Sequence, residues 1–249
     1  MNIKSKYIEP KFKKESYPWI GLLALSTDLT IERDFQLICH SLPINLFVNR
    51  IHNENPLTKE NLLKMYEQIE SITEKILPGE KINTIAYACT SGTIAIGEEK
   101  VKEKIQLAKP NCYVTTPITS AIKAFEKMNV KKIAVFTPYP ESVNKTIYEY
   151  LIKKNINVIS FSTFNLDLDV DFARVDSKYL SEILTKLNIS DADALFISCT
   201  ALPVLEILEE VEKKIEKSVL SSNQTLIWDT IRSTGYKNSI TGYGKLLRS

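Results

Sequence analysis

Tyr87-Ala88-Cys89-Thr90-Ser91-Gly92 follows an apolar run, residues 82–86, and precedes a helical pattern that begins near Thr93. A strand ending on a cysteine, with a helix starting just beyond, places the thiol near unsatisfied helix N–H groups, a field that favours thiolate. Leu195-Phe196-Ile197-Ser198-Cys199-Thr200-Ala201-Leu202 repeats the arrangement 110 residues further on: apolar strand, small residue, Cys-Thr, then a helical pattern. The match extends outward. At the same shift residues 22–28 fall on 132–138, and Glu99 and Val101 fall on Glu209 and Val211. Residues 44–49 match 156–161 at a shift of 112, and 114–116 match 220–222 at a shift of 106. Matches in order, at nearly one offset, predict two similar α/β lobes with one Cys-Thr each.

The rest of the chain supports that reading. Further strands are expected at 19–26, 44–48, 112–115, 132–136, 157–161 and 219–220. Helical patterns occupy 32–41, 59–76, 93–107, 119–128, 141–154, 178–187, 203–217 and 224–232. Thr58 is a helix cap, Pro78-Gly79 a stop, and Pro203 suits a first helical turn. Residues 49–56 read as a polar loop. So does the stretch holding Asp167, Asp169 and Asp171, where acids alternate with apolar residues and no ligand cluster converges. Alternating strands and helices imply an α/β fold with parallel sheets. Two Rossmann-like lobes related by a pseudo-twofold would bind a ligand in the cleft between them, where strand ends and helix starts meet. The expected division is a tail (1–18), a first lobe (19–116), a second lobe (117–222), and a C-terminal helix and tail (223–249) packing back on the first lobe.

Composition narrows the function classes. Over 249 residues, 44% are hydrophobic and 25% charged, as in a globular protein, and the net charge of +2 gives no argument for nucleic acid or a membrane surface. The basic N-terminal stretch also carries Glu9 and Glu15 and reads as a solvated tail. It has no apolar signal core, which implies a cytoplasmic protein, and four cysteines in such a chain are read as free thiols. Cys39 and Cys112 lack the strand-end context and read as packing residues. Neither His40 nor His52 has metal-ligand spacing to a cysteine. With seven glycines, none of them in a phosphate cradle, no cofactor is expected.

If equivalent strand ends converge, Cys89 and Cys199 approach a shared cleft from opposite sides, lined by Thr90, Ser91 and Thr200. Helix starts there suit an anion, and a carboxylate is the expected guest. Two opposed thiols can work as an acid–base pair, or as nucleophile and acid, on a small carboxylic acid without a cofactor. A cysteine hydrolase would need His40 or His52 as base and would leave the second Cys-Thr unexplained. A two-lobe binder of small carboxylates is the non-enzymatic alternative.

Ala88–Gly92, Ser198–Thr200, Thr137-Pro138-Tyr139 and Thr115-Thr116-Pro117 together resemble the aspartate/glutamate racemase superfamily. Within it the chain is most similar to the maleate cis-trans isomerase and arylmalonate decarboxylase branch, and closer still to the ectoine-utilisation protein A group. The resemblance implies two Rossmann-like lobes, Cys89 as the first-lobe nucleophile or base, and Cys199 as the second-lobe acid. It implies Thr90, Ser91 and Thr200 as carboxylate contacts and Tyr139 as the cleft tyrosine, with Thr116, Asn144 and Asn223 as further polar contacts. It allows a homo-oligomer. Two cysteines favour an isomerase or racemase over the decarboxylase or lyase alternative, whose members keep only the second-lobe cysteine. Maleate isomerases carry a Ser-Asn type pair after the first strand. This chain has Thr27-Asp28, where a carboxylate would repel a second substrate carboxylate but could pair with an ammonium group, or could simply cap the next helix.

Overall fold

The computed structural model describes residues 5–12 and 17–249; part of the expected N-terminal tail lies outside the described residues. The first half runs β1 (Trp19–Leu25), α1 (Ile31–Cys39), β2 (Asn45–Ile51), α2 (Lys59–Lys64), α3 (Tyr66–Glu74), β3 (Thr84–Tyr87), α4 (Thr90–Ile96), α5 (Glu98–Ala108) and β4 (Tyr113–Thr115). The second runs α6 (Pro117–Lys127), β5 (Lys132–Thr137), α7 (Glu141–Lys153), β6 (Asn157–Thr163), α8 (Asp169–Ala173), α9 (Ser177–Lys186), β7 (Ala194–Ile197), α10 (Leu205–Ile215) and β8 (Ser218–Ser221). Helices α11 (Ser222–Ser233) and α12 (Lys245–Arg248) close the chain.

Two four-stranded sheets result, ordered β2-β1-β3-β4 and β6-β5-β7-β8, with every pairing parallel. The central strands β3 and β7 are buried throughout, as continuous apolar runs in a parallel sheet should be. The repeat is therefore one of topology, with the register adjusted at each strand. Ala88 N–H donates to Leu23 O as Ser198 N–H donates to Phe136 O. Leu23 thus corresponds to Phe136, a shift of 113, where the sequence match used 110. The pairs Ala86–Thr115 and Phe196–Leu220 shift β4 onto β8 by 105, one less than the 106 read from the sequence. Thr116 is then the counterpart of Ser221: each caps the following helix by accepting an N–H three residues on.

Several boundaries differ from expectation for local reasons. Strand β2 continues to Ile51 because Asn49, Arg50 and Ile51 pair with Leu23, Ala24 and Leu25, so the expected loop is shorter. The helix expected after Thr93 begins at Thr90 and is divided by Gly97, whose φ of 101° an L side chain rarely adopts. The long helix over 59–76 is divided at Met65. Pro203 lies in a turn ahead of α10, not in its first turn. The segment around Asp169 is a short helix, and Asp169 is buried.

Helix α11 lies against α6 and the ends of β3 and β4. Thr230 and Ser233 meet Thr115 and Thr84 at 2.8 and 2.7 Å, while Asp229 accepts from Ser120 and Lys123. Phe125 of α6 meets Phe196 of β7 edge to face at 5.3 Å. Among the described residues no helix is long and apolar enough to cross a membrane.

Candidate active site

Strand β3 delivers Cys89 and β7 delivers Cys199 to the carboxyl ends of their sheets. Cys89 caps α4: its Sγ accepts the Gly92 N–H at 3.2 Å, and Ser91 Oγ lies at 3.8 Å. Cys199 Sγ accepts the Ala201 N–H at 3.3 Å. Gly92 makes room for this. A Cβ there would fall 2.8 Å from Cys89 Sγ, 2.7 Å from Met65 Cε and 2.9 Å from the Tyr87 hydroxyl. The charges of Asp28 and Asp169 act on both cysteines, and Tyr139, buried against Phe172, lies close enough to both sulfurs for their charges to act on it. The two thiols thus share one locus between the sheets.

Burial dominates the thiols. It pushes Cys89 up to about 12, with the charge of Asp169 adding to the rise and the Gly92 N–H opposing it. Cys199 is raised further, again by burial first. The sequence expectation of a thiolate at a helix start is therefore outweighed by burial: one or two N–H donors do not offset loss of water.

Contacts across the lobes build the rest of the site. Thr30 Oγ1 donates to Ala201 O at 2.7 Å, and Thr200 Oγ1 donates to Ala88 O at 3.4 Å. Asn223 Nδ2 donates to Asp34 Oδ2 at 2.7 Å and to Thr200 O at 2.8 Å, so this amide ties the Cys199 loop to α1. Its Oδ1 is buried without a partner. Thr90 Oγ1 shares a 3.0 Å hydrogen bond with Ser222. A cavity of about 240 Å³ abuts Ser91, between Leu62, Ile94, Val143 and Ile147.

Asp28 does two things at once. Its Oδ1 accepts from Thr30 and Ile31 N–H at 2.8 and 2.9 Å, capping α1. Its Oδ2 is buried with no hydrogen-bond partner, and burial raises the carboxyl above its ordinary range. Beside it, Thr27 Oγ1 and Asn53 Nδ2 both donate to Asp169 Oδ2 at 2.9 Å. Asp169 comes from the second lobe, and burial lifts it to about 6.

The sequence missed Asp169 and Asn53. Their partners lie 142 and 26 residues from them in the chain, on Thr27. The available signal was a buried-type apolar neighbour, Phe172, one helical turn after Asp169. Other expected residues fall elsewhere. Asn144 accepts from Thr137 Oγ1 at 2.6 Å and donates to Tyr139 O at 2.8 Å, so it braces the turn carrying Tyr139. Thr116 caps α6 and borders a surface cavity with Glu98, Lys102 and Lys123, and no hydrogen bond joins it to the cysteines. His40 and His52 are exposed and bond neither cysteine. Arg33 pairs with Glu206, and Arg232 holds carbonyls of the C-terminal segment.

Two parallel α/β lobes with a cysteine at each central strand end define a class, the aspartate/glutamate racemase-like proteins. A family model described as Amdase, arylmalonate decarboxylase, matches residues 63–247, and the chain belongs to that family of enzymes. It is 26% identical over 244 residues to a maleate isomerase of Geobacillus stearothermophilus, covering 92% of this chain and 96% of that one. It is 26% identical over 135 residues to an arylmalonate decarboxylase of Bordetella bronchiseptica, covering 53% and 56%. Its fold matches a maleate isomerase from Pseudomonas putida holding maleate (TM-score 0.86, 19% identity, 94% and 98% covered). It also matches a Nocardia farcinica maleate cis-trans isomerase, a cysteine-to-serine mutant with a covalently bound succinylcysteine intermediate (TM-score 0.85, 20% identity, 94% and 99% covered).

Proposed function

We propose that the chain is a cofactor-independent isomerase or racemase of a small carboxylic acid, with Cys89 and Cys199 as its two reacting groups. The observation that carries this is their equivalence. Each follows the central strand of its lobe, each Sγ accepts one N–H from the turn beyond it, and Thr200 Oγ1 donates to Ala88 O at 3.4 Å, joining the two cysteine turns. A lone structural cysteine has no need of such a counterpart.

The chemistry follows from the pair. In the reacting form one cysteine is thiolate and the other thiol, so the pair holds a single proton between two sulfurs. In racemisation the thiolate removes the α-hydrogen from one face and the opposite thiol returns a hydrogen to the other, so the two sulfurs exchange protonation states. In cis-trans isomerisation the thiolate adds to one alkene carbon while the displaced π pair is taken up by the neighbouring carboxylate or protonated by the opposite thiol. The former double bond, now single, rotates, and the reverse steps expel the thiolate. The succinylcysteine of the Nocardia farcinica relative favours addition for that protein. Ser91 and Thr90, with the N–H groups at the start of α4, would hold the carboxylate, and Tyr139 would steer the Cys199 proton. The quoted motifs also resemble the ectoine-utilisation protein A group, which supports reading the chain as a member of that subgroup.

The test is a proton-NMR screen of small mono- and dicarboxylic acids in D₂O with wild type, Cys89→Ser and Cys199→Ser. Substrate turnover with deuterium at the α-carbon reports racemisation, and geometric conversion without it reports isomerisation. Each variant should fold normally and lose at least about a thousandfold in rate. Near-wild-type turnover in either one removes the proposal.

A further inference from the structure

Tyr87 ends β3 two residues before Cys89, so strand alternation turns both side chains to one face. The tyrosine is fully buried, yet its hydroxyl has only a weak partner: it donates to Met65 Sδ at 3.9 Å. A thioether is a poor acceptor, and a buried phenol usually finds a strong one. Cys89 Sγ borders the same space. A Cβ on Gly92 would fall 2.9 Å from the Tyr87 oxygen, 2.8 Å from Cys89 Sγ and 2.7 Å from Met65 Cε, so three side chains converge on the gap that glycine leaves open. The charge of Cys89 acts on the phenol across this gap, and with burial it holds the phenol well above its ordinary range. The hydroxyl therefore keeps its proton while the thiol loses its own. Cys89 otherwise has the Gly92 N–H at 3.2 Å and Ser91 Oγ at 3.8 Å, and burial outweighs them.

Resting on the two-thiol reading above, we infer that Tyr87 is a positioning residue: its hydroxyl turns from Met65 Sδ to Cys89 Sγ when that sulfur is the thiolate. A neutral thiol is a weak acceptor and leaves the hydroxyl on Met65, as in this structure. A thiolate accepts a stronger, charge-assisted hydrogen bond, and no Cβ at position 92 stands in the way. Ionised Cys89 thus gains a donor that its neutral form lacks. The other cysteine has no counterpart. Two residues before Cys199 stands Ile197, which carries no side-chain donor. The two halves of the site are therefore unequal: Tyr87 places the negative charge on Cys89 and leaves the shared proton on Cys199. That makes Cys89 the nucleophile or base and Cys199 the acid of the resting pair.

Alkylation of Cys89 by iodoacetamide, read by mass spectrometry in full-length Cys199→Ser at pH 8.5, tests this without turnover. Adding Tyr87→Phe keeps the ring and its packing and should shrink the thiolate fraction about tenfold. The more basic sulfur is also the better nucleophile, so the alkylation rate should fall about threefold. Met65→Leu conserves volume but removes the competing acceptor, and should leave the rate equal or higher. Alkylation of Cys199, followed in Cys89→Ser, should not respond to Tyr87→Phe. An unchanged or raised Cys89 rate in Tyr87→Phe overturns the inference, as does an equal fall at Cys199, the mark of a general packing effect. With both cysteines present, Tyr87→Phe should lower kcat about tenfold with little change in KM, and move the acid limb of the pH profile up by about one unit. A wild-type kcat and profile also overturn the inference. If alkylation responds as expected but Cys89→Ser turns over substrate at the wild-type rate, the two-thiol reading fails and the Tyr87 contact stands.

Discussion

Asp34 links the site to stability in a way that pH should expose. It is 2% exposed, accepts from Asn223 Nδ2 at 2.7 Å, and is lifted from 3.8 to about 7, first by burial, against which the Asn223 amide works; the neighbouring Asp28 charge adds to the rise. An acid whose folded pKa is raised binds its proton more tightly when folded. Its contribution is thus intact below about pH 4, declines as pH rises from 3.8 to about 7, and stays lost above that. At about 1.4 kcal/mol per pKa unit the swing is on the order of 4 kcal/mol. Asp34→Asn retains an acceptor for Asn223 and never ionises. Its stability relative to wild type should therefore be near zero at pH 4 and rise to about 4 kcal/mol in the variant's favour at pH 8, worth roughly 8–16 °C in melting temperature for a chain of this size. Urea unfolding of both proteins at half-unit pH steps measures it. A difference that does not change between pH 4 and pH 8, or a variant less stable than wild type at pH 8, refutes the reasoning.

Two further substitutions probe the placement of the reacting groups. Gly92→Ala puts a Cβ within 2.8 Å of Cys89 Sγ; turnover should fall at least about a hundredfold while far-ultraviolet circular dichroism stays native, and wild-type turnover would show that the thiol position is not critical. Asn144→Ala leaves Tyr139 O and Thr137 Oγ1 without their amide partner, which should lower stability by about 1–3 kcal/mol in urea unfolding and reduce kcat more than it raises KM; an effect on KM alone would count against Asn144 as a brace for Tyr139.

The lobes and the cysteine pair were legible because they rest on short-range signals. An apolar strand followed by Cys-Thr and a helix start is local, and its recurrence marks the second lobe. The strand shifts of 113 and 105 were not legible, because register is set by pairing between distant strands and loops absorb the difference. With that register Thr116, expected as a polar contact from the family resemblance, is the counterpart of Ser221, and each caps the helix that follows it. Asp169 was hidden by composition. Acids alternating with apolar residues read as a solvated loop, and only its tertiary partners Thr27 and Asn53 make it a buried group. Of the two roles open to Asp28, the helix cap is present: Oδ1 accepts from the Thr30 and Ile31 N–H groups, and Oδ2 takes no part in the cap.

The central claim is that two thiols act together on one step. Steady-state rates of Cys89→Ser, Cys199→Ser and the double variant, measured on the best substrate of the screen, test it most directly. Groups that act as a unit are non-additive. Each single variant should lose at least about a thousandfold, and the double variant should be no slower than the slower single. Near-wild-type turnover in either single variant, or single losses that multiply in the double, would contradict the account.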